Sequence, residues 1–375
     1  MQRFLYHDLI IAGNWCNLKC SYCTSVADAD YYGKDTSASR SRRGATIAVA
    51  DVLEMVDGMR RHVDAPVMKV SGGELFLLAN ALELIEELST RYAHVQVLTN
   101  GTELTRDLVV RIAALGNVSF NLSLDGHTPA MNAMRWRSAN IGRRVDDAFA
   151  AMVAECDRVE ITSVISDANA GAFPDFLAHL QRQPAEFVVI PIPVRGIHAD
   201  RLFTQETRVR FARLLRDLGA YDDVLGPAAY CRALADFLEH QQSQRRQRCH
   251  LAAAAIQLFD TGAVTPCPVG WTAEIGNMKK EGADAVMQRV GVHTMYDLLT
   301  RDRPRVPVCR NCFSQADVLN LYIEGAIDLD EIARMPMYRS QPARARLKAL
   351  RAARGRAAAP LALSAGDTGH ALAGP

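Results

Sequence analysis

The chain has 375 residues, of which 49% are apolar and 23% are charged. These are ordinary globular values, so overall disorder is excluded, and the length suits one large α/β domain with a smaller second one. The formal net charge of +1 gives no electrostatic argument for a nucleic-acid or membrane-surface partner.

The chain begins with an apolar run over residues 1–13 that Arg3, His7 and Asp8 interrupt. This run is too short and too polar for a signal peptide or a membrane span. The nine cysteines are odd in number and stand in metal-ligand spacings, which fits reduced thiolates better than a secreted disulfide framework. We therefore expect a cytoplasmic protein.

Three cysteines follow this run in C-x3-C-x2-C spacing: Cys16, Cys20 and Cys23. Three thiolates on one loop can hold three irons of a [4Fe-4S] cluster and leave the fourth iron open to a small molecule. A zinc knuckle is the alternative, but zinc needs a fourth ligand, and no Cys or His lies close in sequence to supply it. The triplet therefore predicts an iron-sulfur reaction site. Trp15, beside it, either shields the cluster from water or packs in the core.

Short β-rich runs alternate with amphipathic segments from residue 4 to about residue 215. Strands are predicted at residues 5–12, 66–71, 95–99, 118–124, 159–165 and 187–191. Helices are predicted near residues 47–62, 79–92, 105–115, 141–155, 172–182 and 205–218, where apolar residues recur at three- and four-residue spacing. Six β-α units imply a parallel sheet covered by helices, either open or curled into part of a barrel, with its chemistry at the carboxyl ends of the strands.

The second predicted strand ends in Ser71-Gly72-Gly73-Glu74. Together with the cysteine triplet after the first strand, this motif resembles the radical S-adenosylmethionine (radical SAM) superfamily. The resemblance implies a partial (β/α)6 TIM-like barrel over residues 1–218, in which SAM chelates the open iron. It also implies that Gly72 and Gly73 let the backbone approach SAM closely and that the Glu74 carboxylate meets its amino group.

The same resemblance implies further SAM contacts at the next strand ends, Thr99-Asn100-Gly101 and Ser123-Leu124-Asp125-Gly126, and at the aromatic residue before the third cysteine. The residues so implied are Tyr22, near the adenine, with Asn100, Ser123 and Asp125. Either Arg135 or Arg143 is expected to pair with the SAM carboxylate, and the sequence does not separate the two.

After about residue 220 the alternation stops, and four cysteines follow: Cys249, Cys267, Cys309 and Cys312. A helix is predicted over residues 228–247, and Asp260-Thr261-Gly262 predicts a hairpin turn. The C-x17-C and C-x2-C spacings resemble the twitch domain, the shortened SPASM extension of radical SAM enzymes. This implies a small domain over residues 219–330, a β-hairpin plus helices, that holds a second [4Fe-4S] cluster. Four thiolates leave no open iron and favour electron transfer, and a four-cysteine zinc site is the alternative.

Several residues outside these motifs are candidates for roles of their own. Arg195 and His198 follow the sixth strand and are expected to contact substrate or to be solvated turn residues. Cys231 either donates a hydrogen atom to a substrate radical or packs in the core, and Cys156 is expected to be a buried, inert thiol. Residues 331–375 are predicted to form a helical to disordered basic tail, whose arginines lie on a solvated face or touch an acidic partner.

The resemblance implies reductive cleavage of SAM to a 5′-deoxyadenosyl radical, which removes a hydrogen atom from the substrate. The predicted function is that of a radical SAM oxidoreductase and peptide maturase, which cross-links, oxidises or excises part of a ribosomally synthesised peptide. The alternative is a radical SAM dehydrogenase of an aminocyclitol or sugar-type small molecule. A metal-stabilised binding module without catalysis leaves Gly72-Gly73-Glu74 unexplained.

The partners implied are the peptide or small-molecule substrate and a one-electron reductant of the flavodoxin or ferredoxin type. Only fifteen residues precede Cys16, so a separate leader-binding protein is expected if the substrate is a peptide. No nucleic acid or membrane partner is expected. The cofactors implied are SAM and two [4Fe-4S] clusters.

Overall fold

The computed structural model describes residues 1–11, 15–23, 43–195, 199–240, 247–267, 273–301, 306, 309 and 312–358. Within them the strands are β1 (Gln2–Arg3), β2 (Tyr6–Ile11), β3 (Val63–Asp64), β4 (Val67–Gly72), β5 (His94–Thr99), β6 (Val118–Ser123), β7 (Arg158–Ile165), β8 (Glu186–Pro193), β9 (Ala255–Phe259), β10 (Ala263–Thr265) and β11 (Gly276–Asn277). The helices are α1 (Val49–His62), α2 (Ala81–Arg91), α3 (Arg106–Ala113), α4 (Ala139–Glu155), α5 (Phe173–Gln181), α6 (Ala199–Leu202), α7 (Gln205–Arg216), α8 (Ala228–Glu239), α9 (Leu251–Ala254), α10 (Met278–Glu281), α11 (Ala283–Met287), α12 (Thr294–Leu299), α13 (Asp317–Glu324), α14 (Leu329–Ile332) and α15 (Gln341–Ala358).

The main sheet has the strand order β11-β10-β9-β2-β4-β5-β6-β7-β8, and the six strands from β2 to β8 are parallel. These six strands follow one another in chain order, without the reversal that marks a doubly wound sheet. Every crossover therefore steps in the same direction, which is the arrangement of a TIM-type barrel. The predicted α/β fold, with six parallel strands in β-α units, is confirmed.

The helices bury apolar stripes, as their periodicity predicts. On α1, Val49, Val52, Val56 and Met59 recur at three- and four-residue spacing and are all buried. The parallel strands contribute near-continuous apolar runs because a covered parallel sheet is buried on both faces. Strand β4 contributes Val67, Met68 and Val70 to this core. The layer of helices thus follows from the sequence pattern alone.

The predicted hairpin around Asp260-Thr261-Gly262 is present and joins β9 to β10. Strand β9 pairs in parallel with β2, so the hairpin extends the sheet of the barrel. A single apolar core runs from Phe4 to Leu347 and includes side chains from both predicted domains. The predicted boundary at residue 218 therefore falls within continuous packing. The predicted helix over residues 228–247 ends at Glu239, and residues 241–246 lie outside the described part of the chain.

The predicted basic tail is in part a docked helix, which corrects the expectation of a solvated face. In α15, Ala343 and Leu347 are fully buried, and Arg346 pairs with Asp64 at 2.5 Å and donates to the Phe4 carbonyl. Arg351 Nε donates to the Tyr322 carbonyl at 2.8 Å. The docking of α15 could not be seen from its Ala- and Arg-rich composition, because small residues form part of its apolar stripe and arginines form its hydrogen bonds. Residues 359–375 lie outside the described part of the chain.

Among the helices described, none combines the length and the apolar character needed to cross a bilayer.

Candidate active site

A cavity of about 220 Å³ opens where the parallel strands end. The cysteine triplet lines one side of it, together with Leu18, Tyr22 and Arg135. The strand ends line the rest with Ser71, Gly72, Gly73, Leu98, Thr99, Asn100, Ser123, Val164, Ile192, Pro193 and Arg195. Motifs spread over almost two hundred residues therefore meet at one place, as the shared carboxyl edge of a parallel sheet requires.

The three cysteines lie on the segment that follows β2 and are in the reduced form. The Cys16 sulfur accepts a hydrogen bond from the Leu18 amide at 3.4 Å and lies 3.7 Å from Asn100 Nδ2. Burial raises the pKa of Cys16 to about 12 and also raises the pKa of Cys20, against the opposing charge of Arg135. The thiols bind metal as thiolates, so cluster binding displaces protons from them.

The three thiols of the triplet are a donor set that suits an iron-sulfur cluster. In the part of the chain that the structure describes, no three His, Cys, Asp or Glu side chains converge as the ligands of one ion. A [4Fe-4S] cluster does not need such convergence, because each cysteine binds a different iron. The triplet around an open cavity is therefore compatible with a cluster that presents one iron to a ligand.

Gly72 occupies a position that admits no side chain. Its φ is +148°, and a Cβ placed there would lie 1.9 Å from the carbonyl oxygen of Ile11 on the neighbouring strand β2. The bare backbone of Gly72 and Gly73 consequently forms part of the cavity wall. This supports the expectation that the backbone here approaches a ligand closely.

The structure places the Glu74 side chain behind the cavity wall. This side chain is fully buried and is absent from the cavity wall. One carboxylate oxygen accepts hydrogen bonds from Thr99 Oγ1 at 2.9 Å and the Phe76 amide at 3.2 Å, and the other accepts one from the Asn100 amide at 2.7 Å. Burial raises the pKa of Glu74 to about 7, although these donors oppose the shift. Glu74 therefore ties the end of β4 to the end of β5, and the backbone of the two glycines faces the cavity.

Asn100 does lie in the cavity wall and belongs to a network that the sequence analysis missed. Its Nδ2 donates to Asn17 Oδ1 at 3.1 Å, and Asn17 Nδ2 donates to Thr102 Oγ1 at 2.7 Å and Glu103 Oε1 at 2.8 Å. These bonds fasten the cysteine segment to the end of β5. A signal was present in the sequence, because Asn17 follows the first cysteine directly and is a poor helix or strand residue.

Arg135, Tyr22 and Asp125 form one buried group beside the cysteines. The Tyr22 hydroxyl donates to Asp125 and accepts from Arg135 Nη1 at 2.8 Å. Tyr22 and Arg135 line the cavity, whereas Asp125 lies behind them and also accepts from the Val164 amide at 3.0 Å. Asp125 is thus placed to position Tyr22 and Arg135, while Ser123 supplies the polar group at the wall. Burial raises the pKa of Asp125, and the Arg135 charge opposes this.

The structure separates the two candidate arginines. Arg135 is 6% exposed, and its Nε is buried with no hydrogen-bond partner among the described residues. A buried, unpaired guanidinium donor at a cavity wall fits an anionic ligand group such as a carboxylate. Arg143 is exposed on α4, where it contacts Asn140 at 3.4 Å. Arg135 therefore fits the expected ligand contact better than Arg143, and the contact itself stays a prediction.

Two buried asparagines hold the Asp125 turn and were not found from the sequence. Asn132 Nδ2 donates to the Gly126 carbonyl at 2.6 Å, and its Oδ1 accepts from the Asp125 amide at 3.0 Å. Asn169 Nδ2 donates to the Asp125 carbonyl at 2.9 Å. Both side chains are fully buried, and their distance in sequence from the turn left no local signal.

Comparison with known proteins finds a family match for part of the chain. Residues 10–166, which hold the cysteine triplet and all the strand ends up to β7, match the model of the radical SAM superfamily. This part of the chain is similar to the radical SAM superfamily. The matched residues contain every side chain of the cavity wall described above except those after β7.

Two relatives and one structure illustrate the range of this superfamily. Mycofactocin maturase MftC of Mycobacterium ulcerans is 26% identical over 49% of this chain and 47% of its own length. Neomycin C epimerase of Streptomyces fradiae is 28% identical over 44% of this chain and 49% of its own length. The crystal structure of Streptococcus suis SuiB bound to precursor peptide SuiA has a TM-score of 0.58 at 13% identity, covering 82% of this chain and 71% of that one. The chain thus matches about half the length of these relatives, and SuiB shares its fold.

The residues predicted to contact substrate have different positions in the structure. Arg195 lies in the cavity wall at the end of β8, as predicted, while His198 lies outside the described residues. Cys231 does not line the cavity: it is buried on α8, with its sulfur 3.8 Å from the Gly226 carbonyl, and burial raises its pKa to about 12. This position agrees with the second of the two roles predicted for it, a cysteine packed in the core. Cys156 is half-buried, where full burial was expected, and burial raises its pKa to about 11.

Two of the four later cysteines, Cys249 and Cys267, lie near the amino end of β2, away from the cavity. Cys249 and Cys267 both act electrostatically on Tyr6, at the amino end of β2. The Cys249 sulfur lies 4.0 Å from Asn320 on α13, the helix that follows Cys312. All four thiols are reduced. Their assignment to a second cluster stays a prediction.

Proposed function

We propose that this protein is a radical SAM enzyme that oxidatively modifies a ribosomally synthesised peptide. The observation that carries the proposal is the single cavity in which the three cysteines, the bare backbone of Gly72 and Gly73, and the buried Arg135 meet. Cys16, Cys20 and Cys23 would hold a [4Fe-4S] cluster there. When bound, the cluster and SAM supply a one-electron cleavage that yields a 5′-deoxyadenosyl radical.

The chain's own residues bind and orient these groups. The Gly72-Gly73 backbone offers hydrogen-bonding groups at close approach, and Arg135 offers charged donors for the SAM carboxylate. Tyr22 provides an apolar ring face in the wall, fixed by its hydroxyl bonds to Asp125 and Arg135. Glu74 holds the ends of β4 and β5 together, so the wall keeps its shape. These roles belong to a rigid site that positions a reactive group and excludes water.

Support for a peptide substrate comes from the relatives. MftC is named a maturase, and SuiB is described with a bound precursor peptide. Neomycin C epimerase supports the second candidate, a radical SAM enzyme of an aminocyclitol or sugar-type small molecule. For the peptide candidate we also propose a separate leader-binding partner. Both candidates need a flavodoxin- or ferredoxin-type reductant, and the metal-ligand spacings of the cysteines in the sequence favour a cytoplasmic location.

We further propose that Cys249, Cys267, Cys309 and Cys312 hold a second cluster, which accepts the electron that an oxidised substrate loses. Anaerobic reconstitution should then give about eight irons per chain. About four irons together with zinc would contradict the second cluster.

The proposed function is tested by adding SAM, a chemical reductant and peptides encoded beside the gene to the reconstituted enzyme, with mass spectrometry as the readout. Formation of 5′-deoxyadenosine with a mass loss in the peptide supports the peptide candidate, and turnover of an aminocyclitol supports the second candidate. Cys16→Ala should abolish SAM cleavage, whereas Cys309→Ala should retain cleavage and block the product. Normal product from Cys309→Ala would exclude the electron-accepting role.

A further inference from the structure

The interior of the barrel contains a ring of buried polar side chains. Six neighbouring strands, from β9 through β2 to β7, each contribute one: Gln257, Asp8, Lys69, Gln96, Asn121 and Glu160. Asp8 stands opposite both Gln257 and Lys69 in the strand register, and Lys69 stands opposite Gln96. Gln96 stands opposite Ser119, and Asn121, two positions beyond Ser119, stands opposite Glu160. Barrel interiors are ordinarily filled with branched apolar residues, so this polar ring is unusual. A buried ionisable cluster beside a cavity indicates a binding role.

The polar ring forms the layer directly beneath the cavity. Side chains alternate along a strand, so residues two positions apart share a face. The residues two positions beyond Lys69, Gln96 and Asn121 are Ser71, Leu98 and Ser123, and all three line the cavity. The Ser71 hydroxyl donates to Asp8 Oδ1 at 3.3 Å, and the Lys69 side chain keeps 11% exposure. A ligand in the cavity is therefore one layer away from the ring.

The charges in the polar ring do not balance. Lys69 Nζ lies 3.8 Å from Asp8 Oδ2, and its charge acts on both Asp8 and Glu160, so one cation serves two carboxyl groups. Glu160 accepts hydrogen bonds only from neutral amides among the described contacts, Gln96 Nε2 at 2.9 Å and Asn121 Nδ2 at 2.6 Å. In addition, the Gln96 side chain is fully buried, and its Oε1 has no hydrogen-bond partner among the described residues.

The ring thus holds one ammonium group, that of Lys69, for the two carboxyl groups of Asp8 and Glu160, and one carbonyl oxygen, Gln96 Oε1, without a donor among the described residues. Burial raises the pKa of Glu160 to about 7, which agrees with a carboxylate that lacks a full counter-charge. An unpaired charge or acceptor in the interior costs free energy that a ligand carrying positive charge and N–H donors recovers on binding.

We propose that the polar ring is the subsite for a primary ammonium group of the substrate, with Glu160 and Gln96 Oε1 as its main acceptors. An ammonium group has three N–H donors and one positive charge, which match the surplus acceptors and the missing charge. The inference rests on the proposed function, since it takes the cavity as the place where the substrate reacts. A lysine side chain in a peptide and an amino group on an aminocyclitol provide the same chemistry.

The test uses three probes of similar size and different charge: n-butylamine, n-butanol and butyrate. Calorimetric titration of the reconstituted full-length protein should show the amine binding at least about tenfold more tightly than either of the others, as for a charge-assisted pair. Glu160→Gln should remove the preference. Glu155→Gln should keep it, because Glu155 pairs with Arg106 at the outer end of α4.

Equal affinities, a preference for butyrate, or no binding of any probe would overturn the proposed ammonium subsite. These measurements use the wild-type protein and so do not depend on whether a variant folds. 5′-Deoxyadenosine formation is measured on the same sample. Normal SAM cleavage without an amine preference removes the subsite alone, whereas loss of SAM cleavage contradicts the proposed function. Titration with acetyl-Gly-Lys-Gly amide and with 2-deoxystreptamine then distinguishes the two sources of the ammonium group.

Discussion

The buried carboxyl group of Glu160 should make the stability of the fold depend on pH in a way that one substitution removes. In Glu160→Gln the side chain keeps its shape but has no proton to release. The new carboxamide is accommodated because Gln96 can turn its own amide and present Oε1, which has no partner among the described residues. The variant therefore isolates the cost of the buried charge.

The size of this effect on the free energy of unfolding follows from the pKa of Glu160. Burial raises the pKa of Glu160 from 4.5 to about 7, with Gln96, Lys69 and Asn121 opposing the shift. Each tenfold change in proton affinity is worth about 1.4 kcal/mol, so the cost of ionising Glu160 in the folded state is about 3 kcal/mol. Between pH 4.5 and 7 the folded state keeps a proton that the unfolded state has released. The free energy of unfolding of the wild type therefore falls across this window relative to the variant, and the difference is constant above it.

The assay is urea unfolding at a series of pH values from 4 to 8.5, at constant ionic strength and under anaerobic conditions, roughly bracketing the titration window. The quantity compared is the difference between wild type and Glu160→Gln in the free energy of unfolding, obtained from the midpoints and slopes. Other titrating groups cancel in this difference, and Glu155→Gln serves as the surface control. Parallel pH dependence of the wild type and Glu160→Gln would refute the reasoning, because Glu160 would then ionise equally well in both states.

Three further substitutions test the site and its frame. Gly72→Ala should weaken SAM binding by about tenfold or more and destabilise the fold. The control Gly116→Ala, at a φ of +75° in open space, should lower the free energy of unfolding by only about 1 kcal/mol. Equal effects of the two substitutions would contradict the close approach of the Gly72 backbone to its neighbours. Arg135→Lys should raise the calorimetric Kd for SAM about tenfold, since the planar donor fork is lost, and Arg143→Lys should leave it unchanged. Arg346→Met should lower the free energy of unfolding by about 1–3 kcal/mol, because the main-chain carbonyls of Phe4 and Asp64 lose their donor, and an unchanged urea midpoint would contradict the docking of α15.

The parallel strands and their helices could be predicted closely from the sequence. Each of the six predicted strands and six predicted helices overlaps an observed element, because periodicity and apolar runs are local properties of the chain. The position of the site was also predictable. Motifs at strand ends meet at one edge of a parallel sheet, so Cys16, Gly72 and Ser123 could be grouped before any coordinates were known.

The roles of individual side chains were harder to predict. Glu74 was expected to face the ligand, but three donors from two strand ends hold its carboxyl group away from the cavity. Arg143 was as good a candidate as Arg135 because both are cations at similar positions after β6. Only the fold shows that one is buried beside Tyr22 and the other is exposed on a helix.

The sequence by itself determined the order of β-α units, the cysteine triplet and the glycines at the end of β4, since each depends on residues close together in the chain. The tertiary structure alone decided which polar residues share a layer. Asp8, Lys69 and Glu160 come from strands far apart in sequence. Strand register sets Asp8 beside Lys69, and hydrogen bonds from Gln96 and Asn121 bring Glu160 into the same group. Register and burial depend on packing across the whole sheet, so the ring and its unbalanced charge had no local signature.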